Sequence, residues 1–318
     1  MEKAIVPSPS IGVRRRSVRL GRSIRHHAAI YLFLLPALAF FLVFSVYPIL
    51  YSFAMSFTNW PITGPVQFVG LQNFIQVLND PTNRIALGNA LLYMIVSVPI
   101  QIILGLLVAV GLDRPMPGRT PLRLFYYFPV ITSWVVVTYL FQYLFNTDYG
   151  LVNWFLMSIH LIHSPIAWLA DPGRAVVVAA LLGSWKGIGW AMMIFLAGLQ
   201  AVPEELYEAA ALDGAGKWHT FWSVTLPSIK SATFFVTVLL VMGAFQVFVQ
   251  IFILTGGGPA NETQVPLVWM YEQAFDNLQF GYAGALSWLI AVLIIGITLV
   301  QFWLFRPRVL NVREGRGS

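Results

Sequence analysis

The sequence predicts an all-α integral membrane protein with six transmembrane helices and a cytoplasmic helix-turn-helix loop. Three observations carry this: charge is scarce, apolar runs are long, and the basic residues fall in alternate loops. Only 10 % of the 318 residues are charged and 58 % are hydrophobic. A soluble domain carries roughly 25 % charge to solvate its surface, so most of this surface faces something apolar. Disorder, a coiled coil and a soluble enzyme are excluded together. The absence of cysteine removes disulfides, thiolate metal sites and cysteine nucleophiles.

A helix needs about 20 apolar residues to cross a hydrocarbon layer roughly 30 Å thick. Six stretches qualify: Ala28–Phe57, Asn89–Leu112, Leu124–Phe145, Ala175–Gln200, Ala232–Leu254 and Ala283–Phe305. Barrel strands would alternate over about ten residues, whereas these runs are apolar all round and twice as long. The first run exceeds the roughly 7–15-residue core of a cleaved signal and is expected to remain as an anchor. Residues 1–27 then form a basic cytoplasmic tail, 28–305 the membrane domain, and 306–318 a second cytoplasmic tail.

Sixteen of the 19 Lys and Arg lie before the first run, between the second and third, between the fourth and fifth, or after the sixth. The intervening loops hold only Arg84 and Arg174. Positive residues favour the cytoplasmic side, so both termini are expected inside. The net charge of +6 is therefore read as topology and contact with membrane lipid, with no nucleic acid. Two outer loops, Thr58–Gly88 and Asn146–Arg174, carry apolar and aromatic pieces that read as short interfacial helices or a small external cap.

Polarity concentrates at 203–227. Pro203 suits a helix start, and Glu204 and Glu205 sit where the helix dipole favours anions. Asp213-Gly214 breaks the helix. A second short helix carries Trp218, Phe221 and Trp222 until Leu226-Pro227 stops it. Ala209, Ala210 and Ala211 permit close approach by another protein; a hairpin lying on the inner leaflet is the alternative. Gly214-Ala-Gly-Lys217 is not a phosphate-binding loop, because Ala211 and Trp218 replace the required Gly and Ser/Thr.

Glu208-Ala-Ala210, Asp213-Gly-Ala215 and Val224-Thr-Leu-Pro227 resemble, in order and spacing, the EAA loop of binding-protein-dependent ABC importer permeases, with Val224 where Ile is usual. Phe195 to Glu208, Phe68 to Phe74 and Leu254 to Pro259 resemble the carbohydrate branch, the maltose-permease-like subunits. The resemblance covers about residues 28 to 305 and implies a type I importer permease. It implies that Glu208, Ala209, Ala210, Asp213, Gly214, Ala215, Leu226 and Pro227 couple to a separate ATPase. It further implies two ATPase subunits holding ATP and Mg, a second homologous permease in a heterodimer, and an extracytoplasmic substrate-binding protein. The membrane would be the cytoplasmic membrane of a bacterium or archaeon. This chain would bind no cofactor or metal itself.

Polar groups inside spans mark possible pathways. Lys186, near the middle of the fourth run, should face water, a carboxylate or a helix C-terminus, and since no other run has an acidic residue near its middle, a hydrated cavity or a partner from another chain is favoured. Gln246 and Gln250, four apart, are expected to share a helix face and offer amides to sugar hydroxyls, with Phe245 and Phe248 beside them. Interhelical hydrogen bonding is the other reading. Gln142 is a weaker pathway residue, and Trp185, Trp190 and Trp288 are expected cavity walls or packing. Thr255-Gly-Gly-Gly-Pro259 reads as a docking loop or a plain connection. No paired acids, His cluster or triad marks a catalytic centre, so an integral membrane enzyme is a remote reading. Import of a disaccharide or oligosaccharide is the expected function, with glycerol-3-phosphate or a related phosphodiester or polyol as the rival.

Overall fold

The computed structural model describes residues 28–61, 63–114 and 116–305. The two terminal tails assigned from sequence lie outside the described residues. The chain divides into two compact units at Ser52/Phe53. In the first, α1 (Ala28–Phe41) continues through one wide turn, Leu42–Val46, into α2 (Tyr47–Ser56), whose residues from Phe53 belong to the second unit. Residues 32–44 are exposed along their whole length, as expected of a helix that meets lipid or another chain.

The second unit opens with a two-strand ribbon, β1 (Thr58–Asn59) antiparallel to β2 (Gln67–Phe68), and a short helix α3 (Gln72–Asn79). The long helix α4 (Pro81–Asp113) follows. Next come α5 (Arg119–Ile131), α6 (Trp134–Leu144) and the short helix α7 (Leu151–Ser158). Helix α8 (Pro172–Gln200) is the most buried of the long helices. A hairpin of α9 (Glu204–Leu212), α10 (Lys217–Thr220), a wide turn (Phe221–Thr225) and α11 (Leu226–Ser228) leads into α12 (Lys230–Phe245). Helices α13 (Val249–Leu254) and α14 (Pro266–Tyr271), the wide turn Glu272–Asp276 and α15 (Phe280–Phe305) complete the chain.

The expected runs are present, with four corrections. The second begins at Pro81, eight residues before Asn89, because Asp80 caps the helix by accepting from the Thr82 N–H and Pro81 fits its first position. The third is not one straight span: α5 and α6 meet at a 92° bend. The fifth is interrupted between Phe245 and Val249. The helix after Gly214 does not stop at Leu226-Pro227 but runs on to Ser228, and a 67° bend follows at Ile229. The wide turn just before Pro227, where Leu226 N–H reaches back to the Phe221 carbonyl, supplies the slack that a proline ring needs against the preceding turn.

Helix α8 forms the spine, with α4 packed along it, α5 across it, and α12 and α13 against its flank. Towards one end, Ala109, Leu112, Met192, Phe195, Leu199 and Ile229 form one apolar cluster. A second cluster joins Tyr93, Val176, Ala180, Phe245 and Ile251. Close approach depends on small residues in α8. A Cβ on Gly189 would stand 2.1 Å from the Tyr126 carbonyl oxygen of α5, a backbone atom that cannot swing aside. Gly189→Val is therefore expected to cost about 1–3 kcal/mol through overpacking, read as a lower thermal unfolding midpoint in detergent. Gly111→Ala, with open space around its missing Cβ, should leave that midpoint unchanged or raise it.

Candidate functional site

A cavity of about 270 Å³ lies between α4, α8, α12 and the bend joining α5 to α6. From α4 it receives Tyr93, Ser97 and Gln101, which recur every four residues and so stand on one helix face. Gly183 and Gly187 of α8 make room for them: added Cβ atoms would strike the Tyr93 hydroxyl at 2.0 Å and Gln101 Oε1 at 1.7 Å. Gln250 of α13 is buried and lies in hydrogen-bonding reach of the Tyr93 hydroxyl. Ser97 Oγ is buried at the cavity wall with no protein partner. Trp134 and Trp190 supply flat apolar surfaces.

Lys186 reaches the same wall, 4 % exposed. Its ammonium donates to the carbonyls of Pro129 (2.6 Å), Val130 (3.0 Å) and Thr132 (2.5 Å), and lies 4.9 Å from the centre of the Trp134 ring. Of the three surroundings expected for this lysine, the structure selects a helix C-terminus. A lysine at the centre of a span costs about 2.5–3.5 kcal/mol, and charge-assisted hydrogen bonds contribute about 1.5–3 kcal/mol each. Three such bonds outweigh the cost. They also explain the broken span, since carbonyls at the end of α5 are satisfied by Lys186 and Ser133 starts a new helix in extended backbone.

The remaining sequence-selected residues separate. Gln246 is exposed and does not share a face with Gln250, because the helix is broken between them. Phe245 is buried in the core, and Phe248 stacks on Phe252 at 5.1 Å. Gln142 donates to the Ile253 carbonyl at 3.3 Å, joining α6 to α13. Trp185 faces a different, apolar groove with Phe125, Phe128 and Ile188. Trp190 lines the cavity, whereas Trp288 packs edge-on against Phe53. The stripe Tyr93, Ser97, Gln101 went unread in the sequence, although four-residue spacing of polar groups in an apolar helix was its signal.

The hairpin carries the second constellation. Gly214 adopts φ +74° and Ala215 N–H bonds back to the Ala210 carbonyl at 2.9 Å, a left-handed helix stop. Glu208, Ala209, Asp213 and Gly214 are exposed, and Ala210 and Ala215 half-buried. An open groove between α9 and the following helix is lined by Ala209, Ala210, Asp213, Gly214 and Val224. Leu226 is half-buried, Pro227 exposed, and Ile229 just beyond is buried against Gly198 near the end of α8.

At the other end, Asp80 binds three elements. It caps α4 and accepts from Trp269 Nε1 (2.8 Å) and, in a short bond, from the Tyr282 hydroxyl. The segment 255–265 is a tied turn, not a slack connection: Asn89 Nδ2 donates to the carbonyls of Glu262 and Gln264, and Thr263 Oγ1 donates to that of Gly258. Gln264 Nε2 bonds both carboxylate oxygens of Glu272. Burial holds the Glu272 carboxyl above the usual carboxylate range; the Gln264 bond opposes this and nearby Asp276 adds to it.

A helical chain with several membrane-length apolar helices has the build of a multi-pass membrane protein, here with a small polar cavity among the helices. Residues 90–307 match the model of the family described as binding-protein-dependent transport system inner membrane component. A probable ABC transporter permease of Bacillus subtilis, YurN, is 35 % identical, covering 87 % of this chain and 95 % of that protein. The lactose transport permease LacF of Rhizobium radiobacter is 34 % identical over 87 % of this chain and 94 % of its own. The multiple sugar-binding transport permease MsmF of Streptococcus mutans is also 34 % identical, over 84 % and 91 %. The fold is similar to that of a subunit in the crystal structure of a bacterial ABC transporter importing alginate (TM-score 0.79, 23 % identity, 91 % of this chain and 98 % of that one). The chain belongs to the family of binding-protein-dependent transport system inner membrane components, as an ABC transporter permease subunit.

Asp80→Ala should destabilise the end of the bundle that Asp80 holds. The lost cap is worth about 1 kcal/mol, and donors left without an acceptor cost about 1–3 kcal/mol more. The expected outcome is a lower thermal midpoint in detergent, with Asp80→Asn intermediate.

Proposed function

We propose that the chain is one transmembrane subunit of an ATP-driven importer that moves an uncharged disaccharide or oligosaccharide into the cytoplasm by alternating access. The observation that carries the substrate class is the cavity's neutral polar lining, in which Ser97 Oγ has no protein partner. Ser97, Gln101, Tyr93 and Gln250 are neutral donors and acceptors, as a hydroxyl array requires, and Trp134 and Trp190 offer faces for a sugar ring. Lys186 is the lone cation among the lining residues, and its three protons go to backbone carbonyls. That argues against glycerol-3-phosphate or a phosphodiester, which needs an uncommitted cation. Relatives named for lactose and for multiple sugars support the same reading.

At about 270 Å³ the cavity falls just below the roughly 300–1,000 Å³ of ordinary ligand pockets. A second, homologous permease completing the passage, in a heterodimer, accounts for that. The hairpin 203–227 is assigned to a separate ATPase. Glu208, Ala209, Ala210, Asp213, Gly214 and Ala215 form its docking edge, and Leu226 and Pro227 transmit force to α12. Two ATPase subunits would hold the ATP and Mg, and an extracytoplasmic binding protein would deliver the sugar. The setting is a bacterial or archaeal cytoplasmic membrane, with the tails 1–27 and 306–318 inside. This chain carries no catalytic site of its own.

Two experiments test the assignment in proteoliposomes containing the whole importer. Gly214→Pro should abolish uptake of the radiolabelled sugar retained by the binding protein, while the chain still inserts. Retained uptake with normal ATPase stimulation would remove the hairpin from coupling. Ser97→Cys blocked by a bulky maleimide should stop uptake; unchanged uptake would move the passage elsewhere.

A further inference from the structure

The lysine buried at the cavity wall invites a direct role in holding substrate, and its geometry says otherwise. An ammonium has three protons and no acceptor. Here it meets three backbone carbonyls, Pro129, Val130 and Thr132, and a fourth, longer contact at Thr132 Oγ1 (3.3 Å). Those oxygens belong to the turn where α5 stops and α6 begins at 92° to it. The residue that starts α6, Trp134, lies with its ring 4.9 Å from the same ammonium and lines the cavity.

The geometry points to Lys186 as a positioning residue for transport: it holds the interruption of the third span and thereby seats the Trp134 indole in the cavity wall. This rests on the cavity being the passage, and adds how one wall is kept in place. The lysine is carried by α8, the spine, whereas the bend it holds belongs to α5 and α6. The ammonium is thus a bond between elements, and the cavity keeps its shape only while that bond is intact. Arg is not an equivalent, since a planar fork does not converge three donors on one cluster of carbonyls.

The test needs no knowledge of the sugar. The chain has no cysteine, so Ser97→Cys places a single thiol of this chain on the cavity wall, and a water-soluble cationic methanethiosulfonate reports access to it. Val77→Cys, fully buried in a separate apolar cluster, reports general loosening. Both are measured in the full importer in membranes, on backgrounds with Lys186→Met, Trp134→Leu and both together. The expected result is labelling at position 97 about tenfold faster in each single variant. The double variant should stay within about twofold of the faster single one, and labelling at position 77 should not change. Multiplying rates in the double variant would show that Lys186 does not act through Trp134. Faster labelling at position 77, or no change at position 97, would also overturn the proposal.

Lys186→Arg is expected to label at least threefold faster than the unaltered chain, and wild-type behaviour would overturn the convergent geometry. If Lys186→Met does not insert, the Arg variant with Trp134→Leu supplies the same cycle. Should a bulky group at position 97 leave uptake unchanged while the cycle still couples, the passage reading falls and the positioning bond stands. Blocked uptake with independent Lys186 and Trp134 effects would overturn the positioning bond and leave the passage in place.

Discussion

A positive charge enclosed in an apolar bundle has to be answered by negative potential, and in this protein the answer is the carbonyl end of a helix. The ammonium of Lys186 and the carbonyls of Pro129, Val130 and Thr132 satisfy each other. Carbonyls freed at a helix end and left dry would cost free energy, as would an unpaired lysine. Brought together, each removes the other's penalty. The third span is consequently two helices, and α6 leaves at a steep angle. Trp134 arrives at the cavity, and Gln142 reaches α13 from the same helix.

Much of this architecture was legible in the sequence, for reasons that differ by element. The long helices were visible because burial in lipid demands unbroken apolar runs, and α4, α8 and α15 have them. The hairpin was visible because Pro203, Glu204, Glu205 and Gly214 are local signals acting within one turn of backbone. The break between α5 and α6 was not legible. The ammonium that satisfies its carbonyls lies 54 residues downstream of Thr132, and no local preference encodes a contact at that separation. The interruption at Gln246 likewise escaped, and with it the supposed face shared with Gln250.

The cavity was half legible. Lys186 and Gln250 stood out because charge and amides are costly within a span. Tyr93, Ser97 and Gln101 were hidden in a helix whose other residues are mostly apolar, and their periodicity matters only once Gly183 and Gly187 bring α8 alongside. Asp80 was hidden differently. A lone carboxylate before a proline reads as a cap, and it is one. Its partners Trp269 and Tyr282 lie 189 and 202 residues away.

Helix α4 is fastened at both ends. Asp80 ties its start to Trp269 and Tyr282, and Asn89 ties its third turn to the backbone of the turn 255–265. From Asn89 to Asp113 the helix extends for roughly 36 Å, at about 1.5 Å per residue. At the far end Arg119 and Arg123 of α5 donate to the carbonyls of Asp113 and Leu112, and Ala109 and Leu112 are buried against α8, which makes the helix a beam held at both ends. A beam held in this way resists displacement most at its supports, and a groove with Tyr207 and Lys217 meets the support at Asp113. Tyr93, Ser97 and Gln101 sit between the two supports, Gln101 midway, so the polar wall is carried by a stretch of helix anchored on either side.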